Sequence, residues 1–304
     1  MPTFEQLEIL RRELGDILRE DEPLADKTAY RTGGEALCYI EPGDLEQLCR
    51  AQSLLYELGL EFVVLGGGSN ILVVEEGVRE RVVLSLRKGF AGLDTVGGDQ
   101  WSGTVRVESG VKLSRLVRYC TERGFAGLER LAGIPGTVGG AVAMNAGAYG
   151  QTIGDCLAAL QTVIAGNLGW RGSGTLKRGY RDGGLETQEV VVAAYFICER
   201  RNRIELEETV AEITALRRRR LPAGVHAGSV FKNPEGDFAG RLLEKAGCKG
   251  MSCGGARVAE KHANVIVAER GVTPSDIMIL VERMRNRVYE QFNISLETEI
   301  RVLS

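Results

Sequence analysis

The chain has 304 residues, enough for two or three domains, with 38 basic and 41 acidic residues and a formal net charge of −3. This balance excludes a generally basic protein that binds nucleic acid or an anionic membrane through its overall charge. Seven cysteines and two histidines, with no Cys-x-x-Cys spacing, predict reduced thiols in a cytoplasmic protein rather than a zinc site or a disulfide framework.

The first 86 residues have the pattern of an α/β segment. Thr3 and Gln6 form a capping-box pattern, and an amphipathic helix is expected to follow with the apolar residues Leu7, Leu10, Leu14, Ile17 and Leu18. A polar connection over residues 20–34 leads to a strand at 37–40, a helix capped by Asp44 and a buried strand at 61–65.

Residues 87–204 form a second segment, in which short β-rich stretches predominate. Strands are predicted near residues 105–107, 163–164 and 190–198, with a helix near 112–123. The uncharged stretch 131–154 is long enough to span a bilayer, but its seven glycines and one proline favour glycine-rich strand and loop instead.

The remaining chain is expected to form a third segment, residues 205–295, and a final strand within 296–304. A helix over 206–220 ends in four arginines before Leu221-Pro222, which marks the boundary region. A second helix near 239–246 and a strand at 263–268 precede a final helix. Thr273 caps that helix, and its buried residues are expected to be Ile277, Leu280, Val281, Met284 and Val288.

Glycine-rich segments are the first candidates for a binding site, since the chain contains 40 glycines, nearly twice the usual share of about 7%. Residues 66–70, Gly-Gly-Gly-Ser-Asn, follow a buried strand and form either a phosphate cradle or a tight turn. They match neither the P-loop nor the Gly-x-Gly-x-x-Gly pattern. A second element covers 131–150, and the two together suit a long ligand with phosphate and ring ends, such as FAD.

Several polar residues are candidates for chemistry, each with a plainer alternative. Arg181 offers a bidentate guanidinium, although such an arginine is usually a solvated surface charge. Ser229 is a possible proton donor or a simple turn residue, and Phe231 excludes the Gly-x-Ser-x-Gly hydrolase pattern. Glu297 and Glu299 are expected to share one face of the last strand. Arg220 is either a solvated helix end or a contact to a substrate phosphate.

The order of these motifs is more specific than any one of them. The motifs, in chain order, are the glycine-rich segments 66–70, 134–140 and 145–150, the pair Tyr180-Arg181, residues 228–234 and Glu299. Together they resemble the UDP-N-acetylmuramate dehydrogenases, also called UDP-N-acetylenolpyruvoylglucosamine reductases, of bacterial peptidoglycan synthesis. The resemblance spans residues 31–301, and residues 254–264 resemble the form with the shorter third domain.

This resemblance implies a fold and a reaction. The fold would be of the vanillyl-alcohol-oxidase type: two α/β parts, residues 1–86 and 87–204, hold FAD without a covalent bond. A smaller α+β domain, 205–295, would bind substrate, and 296–304 would return as a strand towards the FAD-binding part. NADPH would reduce FAD, and a hydride would then pass to C3 of the enolpyruvyl group while C2 takes a proton. The UDP-sugar and NADPH are therefore the expected partners, with no nucleic acid, membrane or obligate protein partner.

The resemblance also assigns site residues. Ser229 would be the proton donor, while Arg181 and Glu299 would polarise the enolpyruvyl carboxylate and stabilise the intermediate. Tyr180, Arg220 and Asn233 would contact the substrate, the last two near its diphosphate. The residues expected to bind the cofactor are Gly66, Gly67, Gly68, Ser69, Asn70, Ile134, Pro135, Gly136, Thr137, Gly139, Gly140, Asn145 and Gly147.

Two departures from the family pattern and two alternative functions accompany this assignment. Asp182-Gly183-Gly184 stands where relatives more often have a serine and a bulkier residue, and Arg220 stands where many have lysine. The first alternative is a flavin oxidase of the same fold. No histidine precedes residue 226, which excludes a histidyl link to the flavin in the first two segments but leaves a cysteinyl link open. The second is a non-catalytic nucleotide-binding module, which would not need the residue types present at 181, 229 and 299.

Overall fold

The computed structural model describes residues 1–304, which divide into two compact units. The first unit comprises residues 1–20, 38–67 and 80–215, and the second comprises 21–37, 68–79 and 216–304. None of the helices combines the length and apolar character needed to cross a bilayer. The division into four consecutive sequence segments stays a prediction.

Seven α-helices occur along the chain. They are α1 (Phe4–Leu14), α2 (Leu45–Glu57), α3 (Leu113–Glu122), α4 (Val138–Ala143), α5 (Arg203–Arg220), α6 (Ala239–Lys245) and α7 (Pro274–Phe292). The strands are β1 (Leu18–Pro23), β2 (Glu35–Ile40), β3 (Phe62–Val64), β4 (Ile71–Val73), β5 (Val82–Leu84), β6 (Leu93–Gly98), β7 (Ser102–Glu108), β8 (Phe125–Ala126), β9 (Gly147–Ala148), β10 (Gln151–Thr152), β11 (Leu157–Ile164), β12 (Asn167–Gly172), β13 (Val190–Arg200), β14 (Ser252–Cys253), β15 (Ala256–Val258), β16 (Ile266–Ala268) and β17 (Arg301–Leu303).

The first unit contains a small parallel arrangement, in which β5 pairs with both β2 and β3. All three residues of β5 are fully buried, as expected of a parallel strand that is covered on both faces. Helix α2 connects β2 to β3, and the Asp44 carboxylate caps it by accepting a hydrogen bond from the Gln47 N–H at 2.8 Å. This arrangement confirms the predicted β-α-β unit.

An antiparallel sheet forms the larger part of the first unit, in the order β12-β11-β13-β7-β6, with β8 also paired to β13. In β7, Gly103, Val105 and Val107 are buried while the residues between them are half-exposed, which is the period of two expected for a strand with one covered face. Strands β6 and β12 were not predicted, because their exposed Gly-rich sequences lack that alternation.

The second unit is organised around α7. Its buried residues are Ile277, Leu280, Val281, Met284 and Val288, together with Pro274, and this confirms the predicted stripe. The Thr273 hydroxyl and the Asp276 carboxylate form the capping box. The antiparallel sheet β14-β15-β16 belongs to this unit, as does the parallel pair β4 and β17.

Three predicted elements are wrong in extent or type. Helix α1 ends at Leu14 because Gly15 adopts a φ of 54°, so Ile17 and Leu18 lie outside the helix and part of the expected polar connection is strand β1. The stretch 131–154 contains helix α4, which Thr137 caps through its side chain. The final strand covers Arg301–Leu303 alone rather than residues 296–303.

Candidate active site

The first glycine-rich loop approaches the second one closely in the first unit. A Cβ atom on Gly67 would lie 2.7 Å from the Cα of Gly136, so a side chain at this position would force the two loops apart. Thr137 is buried, and its Oγ1 accepts a hydrogen bond from the Gly140 N–H at 3.4 Å. The two predicted loops therefore meet, as a shared ligand would require.

A cavity lies beside these loops. Its lining includes Val64, Leu65, Gly66, Leu86, Arg87, Ser109, Gly110, Thr137, Gly139, Gly140, Ala143, Leu185, Glu189 and Val191. Four of the predicted cofactor residues line this cavity: Gly66, Thr137, Gly139 and Gly140. The walls are mainly apolar, and the Ser109 hydroxyl and one Glu189 carboxylate oxygen are buried without a hydrogen-bond partner. Apolar walls with a few polar atoms fit a flat heterocycle such as a ring of FAD.

Other predicted cofactor residues lie in the first unit but are not among those lining the cavity. They are Ile134, Pro135, Gly136, Gly67, Asn145 and Gly147. Asn145 instead joins two backbone segments: its amide donates to the Gly179 carbonyl at 3.1 Å and its Oδ1 accepts from the Gly154 N–H at 3.3 Å.

Arg181 lies at the tip of a tight turn in the first unit. The N–H of Gly179 donates to the Asp182 carbonyl at 2.9 Å, and Arg181 between them adopts a left-handed φ of 60°. The Arg181 Nη1 donates to the Gly147 carbonyl at 3.3 Å, and its guanidinium carbon lies 5.2 Å from the centre of the Tyr180 ring. These contacts bring Arg181 and Tyr180 together with the Asn145–Gly147 segment, while the Tyr180 side chain stays mostly exposed.

The Asp182-Gly183-Gly184 departure has a local structural explanation. A Cβ on Gly183 would lie 2.1 Å from the Val142 carbonyl oxygen, and the Gly183 N–H donates to the Ala143 carbonyl at 3.0 Å. The Asp182 carboxylate accepts from the Gly184 N–H at 2.9 Å. This chain therefore packs the segment after Arg181 directly against the end of α4.

The rest of the first glycine-rich segment belongs to the second unit. Gly68 has a φ of 62°, and a Cβ there would lie 2.0 Å from the Lys27 carbonyl oxygen. The Asn70 amide donates to the Glu299 carbonyl at 2.8 Å, and the Arg301 N–H donates to the Asn70 carbonyl at 2.9 Å. Asn70, which the sequence assigned to the cofactor, thus also holds the backbone of a predicted catalytic residue, and the half-exposed Ser69 lies between these positions.

Ser229 precedes a short segment that is fixed from two sides within the second unit. The Asn264 Oδ1 accepts from the Phe231 N–H at 2.9 Å, and its Nδ2 donates to the Phe231 carbonyl at 2.8 Å. On the other side, the Glu299 N–H donates to the Val230 carbonyl at 2.7 Å. The structure therefore brings the chain at Ser229 and the chain at Glu299 together by direct backbone pairing.

The two candidate glutamates differ in their environment. Residues 296–300 lie before β17, so the predicted final strand does not extend over Glu297 and Glu299. Thr298 between them pairs with Phe231 in an isolated antiparallel bridge, and a shared face of the two glutamates stays a prediction. Glu297 is exposed, and its carboxylate pairs with the Lys232 ammonium at 2.5 Å. Glu299 is half-buried beside Val230. Of the two predicted candidates, Glu299 is thus the more buried and Glu297 the one paired with a lysine.

His226 supports the turn before Ser229. Its Nδ1 accepts a hydrogen bond from the Gly228 N–H at 3.1 Å, which requires that nitrogen to be unprotonated. Burial lowers the pKa of His226 and keeps the ring neutral. His262 makes the equivalent contact, accepting from the Asn264 N–H at 3.2 Å, and burial also lowers its pKa.

The remaining predicted substrate residues lie on the second unit. Arg220 is exposed at the C-terminal end of α5, as predicted for the arginine run. Asn233 is exposed, and its Oδ1 accepts from the Ala239 N–H at the start of α6 at 3.0 Å.

Sequence reasoning missed three residues that the structure makes important: Ser109 and Glu189 in the cavity and Asn264 beside Phe231. Ser109 could have been found as a small polar residue directly after the alternating strand β7. Glu189 stands as a single acid directly before the long apolar stretch of β13. Asn264 ends the segment 254–264 that the resemblance includes, but nothing local indicates its contact with Phe231, which lies 33 residues away.

Comparisons with known proteins agree in every part of the chain. Residues 36–167 match the FAD binding domain family, and residues 221–303 match the family described as UDP-N-acetylenolpyruvoylglucosamine reductase, C-terminal domain. The UDP-N-acetylenolpyruvoylglucosamine reductase of Syntrophotalea carbinolica is 36% identical over 98% of this chain and 99% of its own length. The enzyme of the same name from Alkalilimnicola ehrlichii is 40% identical over 94% of both chains.

A solved structure gives the same result for the fold. The crystal structure of UDP-N-acetylenolpyruvylglucosamine reductase from Thermus caldophilus has a TM-score of 0.82 and 34% sequence identity, and the match covers 94% of this chain and all of that one. The expected mixed α/β fold with an FAD-binding part is therefore confirmed.

Proposed function

This chain belongs to the UDP-N-acetylenolpyruvoylglucosamine reductase family, as its motifs predicted, and we propose that it reduces the enolpyruvyl group of that sugar nucleotide to give UDP-N-acetylmuramate. In this reaction a hydride and a proton add across the carbon–carbon double bond, and NADPH becomes NADP⁺. The product is a precursor of peptidoglycan. The observation that carries the proposal is the relationship over nearly the full length of both chains.

The cofactor of this proposal is FAD, held without a covalent bond. Bound FAD supplies hydride transfer between NADPH and C3 of the enolpyruvyl group. The family match over residues 36–167 supports its presence, and so does the cavity beside the two glycine-rich loops, whose lining includes Gly66, Thr137 and Gly140. The remaining predicted cofactor residues are assigned to it on the family motifs.

Ser229 donates the proton to C2 in the proposed mechanism. Its neighbours fix the main chain on which it sits: Asn264 holds Phe231, and the Glu299 N–H holds Val230. A proton donor must lie within hydrogen-bond reach of one particular carbon. A backbone held by several contacts lowers the entropic cost of placing the donor there. The neutral His226 ring, which accepts from the Gly228 N–H, fixes the turn from the other side of Ser229.

Arg181 and Glu299 neutralise the negative charge that develops on the enolpyruvyl carboxylate. The Arg181 guanidinium presents several N–H donors in one plane and matches a carboxylate in geometry and charge. Glu299 acts in its protonated form, as a donor to the developing charge. Tyr180, Arg220 and Asn233 bind the substrate, and the charge of Arg220 suits a diphosphate. We place the reaction in the cytoplasm, with the UDP-sugar and NADPH as partners and with no obligate protein partner.

Ser229→Ala separates the two half-reactions and tests this assignment. Flavin reduction by NADPH, followed anaerobically at the flavin absorbance band, should proceed at the wild-type rate because it needs no proton at C2. Reoxidation of the reduced protein by the enolpyruvyl sugar nucleotide should slow by about 10²–10⁴-fold. Ser252→Ala is the matched control, since Ser252 is an exposed serine of the same unit.

Each alternative function predicts a different outcome. Equal loss of both half-reactions in Ser229→Ala would make Ser229 a structural residue. A flavoprotein that consumes O₂ instead of the sugar nucleotide would be an oxidase. A protein that neither contains nor takes up FAD would be the non-catalytic module.

A further inference from the structure

Two buried polar atoms in the cavity of the first unit lack a partner within the protein: Oε1 of Glu189 and Oγ of Ser109. Glu189 is only 6% exposed, and its side chain is not exposed at all. A buried carboxylate oxygen without a hydrogen bond is costly, and native proteins rarely retain one. Glu189 therefore lines the cavity as an acceptor for which a ligand can provide the donor.

The other oxygen of the same carboxylate fixes its orientation. Glu189 Oε2 accepts from Arg171 Nη1 at 3.0 Å and from the Glu186 N–H at 2.8 Å. The Glu189 N–H in turn donates to the Glu186 carbonyl at 3.2 Å, which closes the turn. These bonds occupy Oε2 and hold the side chain in place. A ligand at Oε1 therefore meets an acceptor in a fixed position.

The surrounding walls restrict the ligand to a flat ring that carries a donor. The apolar side chains of the lining are Val64, Leu65, Leu86, Ala143, Leu185 and Val191. FAD contains two flat ring systems, adenine and isoalloxazine. The isoalloxazine ring gains negative charge when it is reduced, so a carboxylate beside it would oppose the reaction. Adenine stays neutral throughout, and its 6-amino group is a donor without an adjacent charge.

We infer that Glu189 accepts a hydrogen bond from the 6-amino group of the adenine of FAD and so determines which base the protein accepts. This inference rests on the proposed function, because it requires that FAD binds. The Ser109 hydroxyl lies in the same lining and can bond with the polar edge of the ring. A hypoxanthine ring carries a carbonyl oxygen where adenine has the amino group, and that oxygen would face the carboxylate as a second acceptor.

Glu189→Gln should reverse this preference. The glutamine carbonyl must take the Oε2 position, because Arg171 and the Glu186 N–H are both donors there. The glutamine NH₂ group then replaces Oε1 and changes the acceptor into a donor. A donor at this point suits the hypoxanthine carbonyl and not the adenine amino group.

The test measures the affinity of the full-length apoprotein for FAD and for flavin hypoxanthine dinucleotide by titration calorimetry. The wild-type protein should bind FAD about 10–100-fold more tightly than flavin hypoxanthine dinucleotide, since loss of one hydrogen bond to a charged group lowers affinity by about that factor. Glu189→Gln should lose or invert the preference. Glu186→Gln removes another carboxylate that pairs with Arg171, at 2.8 Å, and should keep the wild-type preference.

Each outcome decides the inference. Equal affinity of the wild-type protein for the two dinucleotides would overturn it, even if Glu189→Gln fails to fold. An equal loss of affinity for both dinucleotides in Glu189→Gln would overturn it as well, since this would make Glu189 a structural residue of the turn. A wild-type apoprotein that binds neither dinucleotide would instead refute the FAD-dependent function itself.

Discussion

The side chain of Asn264 offers a quantitative test of how the segment after Ser229 is held. Asn264 is 3% exposed and makes two hydrogen bonds to Phe231, at 2.9 and 2.8 Å. Asn264→Ala leaves a buried N–H and a buried carbonyl without these partners, and each such group costs about 1–3 kcal/mol. The free energy of unfolding should therefore decrease by about 2–6 kcal/mol.

Urea unfolding followed by far-UV circular dichroism measures this change. With a denaturant dependence of about 3 kcal/mol per molar, the midpoint should move by roughly 0.7–2 M. Asn286→Ala is the matched control, because Asn286 is exposed on α7 and its loss should change the free energy by less than about 0.5 kcal/mol. Equal midpoints for the two variants would refute the claim that the Asn264 amide stabilises this segment.

Two further predictions concern the loops and the histidines. Gly67→Ala should lower the free energy of unfolding by about 1–3 kcal/mol and weaken FAD binding, since its Cβ would lie 2.7 Å from the Cα of Gly136. Titration calorimetry measures the FAD affinity, and Gly169→Ala, where a Cβ meets open space, should leave that affinity unchanged. Burial lowers the pKa of His226 and His262, so below about pH 6.5 the unfolded chain binds more protons than the folded protein. The free energy of unfolding, measured by urea titration at each pH, should thus fall between about pH 7 and pH 5.5 in the wild-type protein. It should fall less in the variant in which both histidines are replaced by asparagine, and an equal dependence on pH in the two proteins would contradict this.

Local sequence patterns predicted the elements that are fixed by interactions between residues close in the sequence. The capping boxes at Thr3 and Thr273 are formed by residues three positions apart, and the buried stripe of α7 follows from helical spacing. These features depend on near neighbours, so the sequence contains all the information. The same reasoning failed at Gly15, where a single left-handed residue ended the helix before two further apolar positions.

The candidate site was predictable in its motifs but not in its contacts. The sequence identified both glycine-rich loops, yet it did not show that Gly67 and Gly136 meet or that Glu189 lines the cavity beside them. Contacts between distant parts of the chain decide both features. The extent of the final strand was wrong for the same reason: only Arg301–Leu303 pairs with β4, and Thr298 pairs instead with Phe231, far away in the sequence.

The proposed reaction is tested most directly by its stoichiometry. The purified yellow protein is supplied anaerobically with NADPH and the enolpyruvyl sugar nucleotide, and NADP⁺ and UDP-N-acetylmuramate are measured together. The account predicts equal amounts of the two products and no NADPH consumption beyond the bound flavin when the sugar nucleotide is omitted. Steady NADPH oxidation without formation of UDP-N-acetylmuramate would contradict it.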